Sequence, residues 1–177
     1  APVSEPGGDR AAPWRIGVVR NPRSHRNRNV AQDPSRHPDI LFSDPPSKDA
    51  LAGELERMAA AGIDLLVIDG GDGTVRDVLT RGIGIFGENW PRMLVLPKGK
   101  TNALGIDLGM PAKLSLEAAL ARLSSARSVL RRPLRLDRVD AAVPPVLGFI
   151  LGTGVFDTAI AAGQVAHLDL TDAQRAR

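Results

Sequence analysis

The sequence predicts an α/β fold in which crossover helices cover a parallel sheet. Short aliphatic runs alternate with longer segments whose apolar residues recur at helical spacing. Glycine or proline follows most of the aliphatic runs, as expected where a strand ends. The 177 residues are 43% hydrophobic and 24% charged, which is a globular composition. A chain of this length holds one domain, or one domain and part of a second.

Four short apolar runs are the predicted strands of the sheet. They cover residues 16–19, 40–42, 65–68 and 93–96. The first must end before Asn21-Pro22, because proline cannot continue a hydrogen-bonded ladder. The third is wholly apolar, which is typical of a strand buried on both faces.

Helical spacing appears after the second and third strands. Ser47 or Asp49 can cap the first helix, and Gly62 can end it. A second helix follows the third strand and carries Val75, Val78 and Leu79 on one face.

The chain changes character towards its C-terminus. A further amphipathic helix is predicted over residues 114–123, then strands over 134–139 and 146–151, a turn at 152–154 and a helix to about residue 166. We therefore expect a polar tail over residues 1–13, a nucleotide-binding domain over 14–133, and the start of a truncated second domain, rich in β-strands, over 134–177.

Composition argues against several classes of function. The charges, 23 Lys+Arg against 20 Asp+Glu, leave only +3, and aromatic residues make up 3% of the chain, so we expect no nucleic-acid partner. The absence of cysteine excludes disulfides and thiolate chemistry and fits a reducing compartment. No window contains the ~18 to 20 apolar residues that span a bilayer, and we expect a cytoplasmic protein.

A glycine-rich loop, Asp69-Gly70-Gly71-Asp72-Gly73-Thr74, joins the third strand to its helix. Free amides at a helix N-terminus attract anions, and glycine lets a phosphate come close to the backbone. The Asp72 carboxylate would repel a bare phosphate unless it holds Mg²⁺ or accepts a proton from an attacking hydroxyl. The loop therefore predicts a phosphate site, with a simple strand-to-helix turn as the alternative.

A second loop of this kind, Pro97-Lys98-Gly99-Lys100-Thr101-Asn102, follows the fourth strand. Two loops at neighbouring strand ends can face one cleft. Lys98 and Lys100 would then offset the charge of a triphosphate, while Asn102 would cap a helix or bind a ligand. A solvated lysine turn is the alternative.

The loop after the first strand is rich in arginine, with Arg20, Arg23, Arg26 and Arg28 around His25. Loop arginines are usually solvated. Alternatively, they steer ATP or an anionic membrane surface towards the cleft.

Taken together, Asn21-Pro22-Arg23-Ser24, the Gly70–Thr74 loop and the Leu96–Asn102 segment resemble the diacylglycerol kinase catalytic domain. Its superfamily includes sphingosine-type lipid kinases, NAD kinases and phosphofructokinases. The resemblance covers residues 14–151 and implies a Rossmann-like nucleotide-binding domain with ATP and Mg²⁺ as cofactors. It also implies transfer of the γ-phosphoryl group to a diacylglycerol-like or sphingoid-like lipid at the inner face of a membrane. The sequence allows a homodimer but gives no measure of it.

The resemblance assigns roles to particular residues. Asp72 is the candidate catalytic base and metal ligand, and Ser43 stands where the family usually has a nucleotide-contacting threonine. The nucleotide-binding candidates are Asn21, Ser24, Ser43, Gly70, Gly71, Gly73, Thr74, Lys98, Gly99, Lys100 and Asn102.

Two other functions remain open from the sequence. NAD kinase shares the glycine loop. A nucleotide-binding module without turnover is the second, because Lys100 and Ala103 stand where the family usually has threonine and aspartate.

Overall fold

A computed structural model describes residues 13–28, 30, 33–137, 139 and 144–151. Its main sheet has four strands, all parallel, in the order β2-β1-β3-β4. The strands are β1 (Ile16–Arg20), β2 (Ile40–Ser43), β3 (Leu65–Gly70) and β4 (Arg92–Pro97). The predicted parallel α/β fold is confirmed, and each strand extends by one or two residues beyond its apolar run.

The strand order reverses direction between β1 and β3. The chain goes from β1 to β2 on one side, then crosses back to β3 and β4 on the other. In open parallel sheets, ligands bind at such a reversal, outside the carboxyl ends of the strands. The loops after β1 and β3 begin at this point.

Four α-helices accompany the sheet in the described part of the chain. They are α1 (Lys48–Ala60), α2 (Asp72–Phe86), α3 (Ala103–Asp107) and α4 (Leu116–Ala121), with short 3₁₀ turns at Pro34–Arg36 and Leu123–Ser125. Within the described residues, no helix is long and apolar enough to cross a bilayer.

The ends of α1 follow the predicted signals. Ser47, rather than Asp49, is the cap, because its hydroxyl accepts the amide of Ala50 at 3.1 Å. Gly62 follows the last turn with φ of +65°, a conformation that glycine adopts without strain.

The sheet is buried on both faces. On one face, β-strand side chains such as Leu66 and Ile68 pack against Leu55 of α1 and Val78 of α2. On the other, Val67 and its neighbours pack against α4. The burial of the sheet explains the apolar run over residues 65–68 of β3.

Two short antiparallel strands, β5 (Leu134–Leu136) and β6 (Val146–Gly148), begin another domain. β6 is anchored to α2, since Leu147 is buried and its amide donates to the Thr80 hydroxyl at 3.0 Å. The predicted turn at 152–154 and the helix to residue 166 lie outside the described residues.

The helix predicted over 114–123 is shorter in the structure. Ser115 caps α4 through a 3.1 Å bond from the amide of Ala118, so the helix begins after Leu114. Leu114 is nevertheless buried in the core beside α4, which accounts for its place in the apolar pattern.

Candidate active site

The loops that follow β1, β3 and β4 meet at the carboxyl edge of the sheet. The amide of Asn21 donates to the carbonyl of Asp69 at 3.0 Å, which joins the first loop to β3. The Asn21 side-chain amide donates to the Thr74 hydroxyl at 3.0 Å. Two of the predicted nucleotide-binding residues therefore contact each other directly.

Gly71 and Gly99 hold the two glycine loops in backbone contact. A Cβ atom added to Gly71 would lie 2.7 Å from the Cα of Gly99, and one added to Gly99 would lie 2.8 Å from the Cα of Gly71. Real Cβ atoms do not come so close to backbone, so only glycine fits at either position. The two loops are neighbours, as their positions after adjacent strands predict.

The first turn of α2 exposes unpaired amides. Gly71 is the N-cap, and its carbonyl accepts the amides of Thr74 and Val75 at 2.9 and 3.1 Å. Among the residues described, the amides of Asp72 and Gly73 have no acceptor. Gly73 is exposed, and a Cβ there would meet nothing within 4 Å. Free amides at a helix N-terminus, with open space beside Gly73, suit an anion.

Gly70 has a packing role in this turn. A Cβ on Gly70 would lie 2.5 Å from both Cβ and Oγ1 of Thr74. The glycine therefore allows the Thr74 hydroxyl to stay where it accepts a hydrogen bond from the side-chain amide of Asn21.

The Asp72 carboxylate bridges the two loops. One oxygen accepts the amide of Ala103 at 3.0 Å and the other accepts the amide of Leu104 at 3.2 Å, so Asp72 caps the N-terminus of α3. A carboxylate at this position also interacts favourably with the helix dipole. Asp72 thus has a structural role that the sequence did not suggest.

Asn102 shapes the second loop instead of capping α3 with its side chain. Its backbone is left-handed, with φ of +53°, which asparagine tolerates better than most residues. The side chain accepts the amide of Gly99 at 2.6 Å and donates to the carbonyl of the same residue at 2.9 Å. Residues 99–102 therefore form a closed turn.

The two lysines of this loop differ. Lys98 donates from Nζ to the carbonyl of Leu114 at 2.8 Å, which ties the loop to the segment before α4. Lys100 is exposed and has no partner within the described part of the chain. Of these two lysines, Lys100 alone presents a free ammonium group to solvent in the described part of the chain.

Ser24 and Ser43 are both buried at the carboxyl edge of the sheet. The amide of Ser24 donates to the carbonyl of Asn21 at 3.1 Å, so Ser24 belongs to the turn after β1. Ser43 ends β2 and lines a surface depression of about 240 Å³ with Pro34, Phe42 and Asp44. Hydrogen bonds from Arg57 and, to a smaller extent, from Ser43 lower the pKa of Glu54 on α1.

The interpretations of Arg20 as a solvated or steering residue are wrong, because it is buried, with 5% of its surface exposed. Arg23, Arg26 and Arg28 are exposed as expected. Arg26 also joins two loops, since its guanidinium donates to the carbonyls of Pro97 and Ala112.

The burial of three polar residues, Arg20, Asn27 and Asp69, was not predicted from the sequence. Asn27 donates from its side chain to Asp69 Oδ1 at 3.2 Å and to the carbonyls of Asp69 and Asn21 at 3.0 and 3.1 Å. Burial raises the pKa of the Asp69 carboxyl, although the bond from Asn27 and the charges of Lys98 and Arg20 oppose this shift. For Arg20 and Asp69, the signal in the sequence is a charged residue at or near the end of an apolar strand.

The family model for the diacylglycerol kinase catalytic domain matches residues 18–131, well over half of the chain. The chain belongs to the diacylglycerol kinase catalytic domain family. The match includes all three loops described above.

Solved structures from Bacillus anthracis str. Sterne resemble this diacylglycerol kinase family domain. Three of them are named as diacylglycerol kinases, two only provisionally. Each is 20% identical with a TM-score of 0.49, and the matches cover 66%, 65% and 63% of this chain but 44%, 43% and 39% of theirs. The chain thus spans less than half the length of each. No curated protein matches it.

The residues at this site fit a Mg²⁺ ion that is held by one protein carboxylate together with substrate phosphates and water. No cluster of three or more acidic or histidine residues that could hold a metal occurs within the described ranges. Magnesium, however, commonly takes one or two protein carboxylates together with substrate phosphates and water. Asp72 offers one carboxylate beside the free amides, and each oxygen keeps a lone pair after accepting one amide.

Proposed function

We propose that this domain binds ATP and is the nucleotide-binding half of a lipid kinase. The observation that carries the proposal is the pair of free amides, Asp72 and Gly73, in the first turn of α2, with open space beside Gly73. Membership of the diacylglycerol kinase family supports the reaction class.

In this proposal the triphosphate lies along the N-terminus of α2. The amides of Asp72 and Gly73 would bind phosphate oxygens, and the exposed Lys100 would add a mobile positive charge. Asn21 and Thr74 hold each other in place at the side of this cradle. Phosphoryl transfer depends mainly on such positioning and on charge neutralisation.

The reaction would join a lipid hydroxyl to the γ-phosphate. The hydroxyl oxygen attacks the γ-phosphorus, the bond from that phosphorus to the bridging oxygen breaks, and ADP leaves. Asp72 is the proposed acceptor of the hydroxyl proton or the protein ligand of Mg²⁺. When bound, Mg²⁺ would neutralise negative charge on the phosphates.

The proposed acceptor is a diacylglycerol-like or sphingoid-like lipid at a membrane surface. Exposed cations on three neighbouring segments support contact with anionic lipids: Arg23 and Arg28 in the first loop, Lys100 in the loop after β4, and Lys113 before α4. The bonds that Arg26 makes to Pro97 and Ala112 bring these segments together.

Replacement of Gly73 by alanine tests the phosphate cradle. The methyl group enters open space and would not disturb the fold. A helical Cα–Cβ bond tilts towards the N-terminus, so the methyl group points to the region that the phosphates would occupy. We expect at least a tenfold rise in the Kd for Mg·ATP by calorimetry.

Gly84→Ala is the matched control. Gly84 is exposed on the same helix, its Cβ would also meet nothing within 4 Å, and it lies about 16 Å further along the axis. Alanine should stabilise the helix by roughly 0.5–1 kcal/mol there and leave the Kd unchanged. Equal affinity of parent, Gly73→Ala and Gly84→Ala would contradict the cradle.

Substrate assays distinguish the kinase from its rival. Because the chain covers less than half of the related structures, a protein that includes the second domain is the material to test. We expect label from ATP on a lipid offered in mixed micelles and none on NAD. Label on NAD alone would favour an NAD kinase.

A further inference from the structure

A buried ion pair lies directly behind the proposed phosphate cradle. Arg20 ends β1, and Asp69 is its register partner on β3, one residue before Gly70. Their exposed fractions are 5% and 1%, although arginine and aspartate are almost never fully buried unless they are paired. Such burial needs a reason beyond the general requirements of the fold.

Arg20 binds the first loop to the end of β2. Its guanidinium donates to the carbonyl of Asn27 at 3.2 Å, to the carbonyl of Val30 and to Asp44 at 3.1 Å. Asp69 binds the same loop from the other side, through Asn27 and through the amide of Asn21. The loop is therefore held at both ends by these two residues.

The position of this loop determines the position of Asn21. The Asn21 side chain reaches Thr74, in the first turn of α2, where the triphosphate is proposed to bind. The bonds of Arg20 and Asp69 therefore lead, through Asn27 and Asn21, to the phosphate cradle.

The pair is poorly arranged for stability. Arg20 Nε and Asp69 Oδ2 lie 3.7 Å apart, too far for a hydrogen bond, and neither atom has another hydrogen-bond partner among the described residues. Buried ion pairs often stabilise a fold no more than apolar residues of similar size. A role in positioning explains the pair better than a role in stability.

We propose that Arg20 and Asp69 are positioning residues that hold the Asn21–Asn27 loop against the phosphate cradle and thereby raise the affinity for a nucleoside triphosphate. The inference rests on the proposed function, because it assigns these residues to the same site. Neither residue needs to contact the nucleotide.

The test is the double variant Arg20→Met with Asp69→Asn in the full chain. Both replacements keep the approximate size of the side chain and remove the charges together. The probe is Mg·ATP, measured by calorimetry, with unfolding followed by circular dichroism. Arg20 also donates to the carbonyls of Asn27 and Val30 and to Asp44, so we expect the variant to be less stable than the parent but still folded. We expect one binding site per chain and a Kd at least tenfold higher.

Stoichiometry separates positioning from a merely structural role. If the pair served only to keep the chain folded, a smaller fraction of the variant molecules would be folded and able to bind Mg·ATP. Those that bind would do so with the Kd of the parent. A lower number of sites with unchanged Kd would therefore overturn the proposal. So would a variant that binds like the parent. If the double variant does not fold, Asp69→Asn alone is measured against the same two criteria.

The matched control lies at the other end of the same strands. Arg15 and Asp64 form an ion pair at 3.2 Å just before β1 and β3 begin, so Arg15→Met with Asp64→Asn makes the same chemical change away from the site. We expect the parent Kd, and a tenfold loss in this control as well would overturn the proposal. If the parent itself does not bind Mg·ATP, the proposed function fails, whereas tight parental binding with no effect of the Arg20 and Asp69 changes defeats only this inference.

Discussion

Replacing Asp72 with asparagine should weaken the fold as well as the proposed chemistry. The Asp72 carboxylate accepts the amides of Ala103 and Leu104, at 3.0 and 3.2 Å, whereas asparagine has one oxygen and turns an NH₂ group towards one of these amides. Hydrogen bonds to charged groups contribute about 1.5–3 kcal/mol, so losing one and weakening the other should cost about 2 kcal/mol. In a chain of this size that corresponds to about 4–8 °C in Tm.

Thermal unfolding followed by circular dichroism measures this loss. Asp77→Asn is the matched control, because Asp77 lies on the same helix and, among the residues described, pairs only with the exposed Arg76 and Lys48. Surface ion pairs contribute less than about 1 kcal/mol, so this variant should unfold close to the parent. If Asp72→Asn unfolds at the same temperature as Asp77→Asn, Asp72 does not hold α3 in the way described.

Further predictions concern Asp69 and the anchor of β6. Because its pKa is raised from 3.8 in the folded protein, Asp69 contributes stability that is full below pH 3.8 and is lost as the pH rises through the folded pKa. In urea unfolding, Asp69→Asn should therefore gain stability relative to the parent as the pH rises above about 4; a difference independent of pH would contradict the shift. Thr80→Val removes the acceptor of the Leu147 amide, and we expect faster hydrogen exchange at Leu147, with unchanged exchange in β3. Equal protection of Leu147 in both proteins would show that β6 is held by other contacts.

Much of the fold could be predicted because its signals are local. The apolar run in β3, the Ser47 cap and Gly62 act within a few residues of their own positions. The start of α4 is less well marked in the sequence. Leu114 packs in the core like a helical residue but lies before the helix, because Ser115 is its N-cap.

The site was predictable in its loops but not in its contacts. The glycines indicated where the backbones of the two loops come close to each other, and the positions of β3 and β4 as neighbouring strands bring these loops together. The bonds of Asp72 to Ala103 and of Lys98 to Leu114 join residues distant in the sequence, and the residue types alone suggested ligand contacts instead. The burial of Arg20 and Asp69 likewise depends on the register of two parallel strands, which becomes known only when the strands are paired.

The most direct measurement of the central claim is a nuclear magnetic resonance titration of the ¹⁵N-labelled chain with Mg·ATP. If the N-terminus of α2 binds the triphosphate, the amide signals of Gly71, Asp72 and Gly73 should shift together and saturate with one Kd, while the signal of Gly84 stays in place. Saturable binding of ATP that leaves those three signals unmoved would contradict the account.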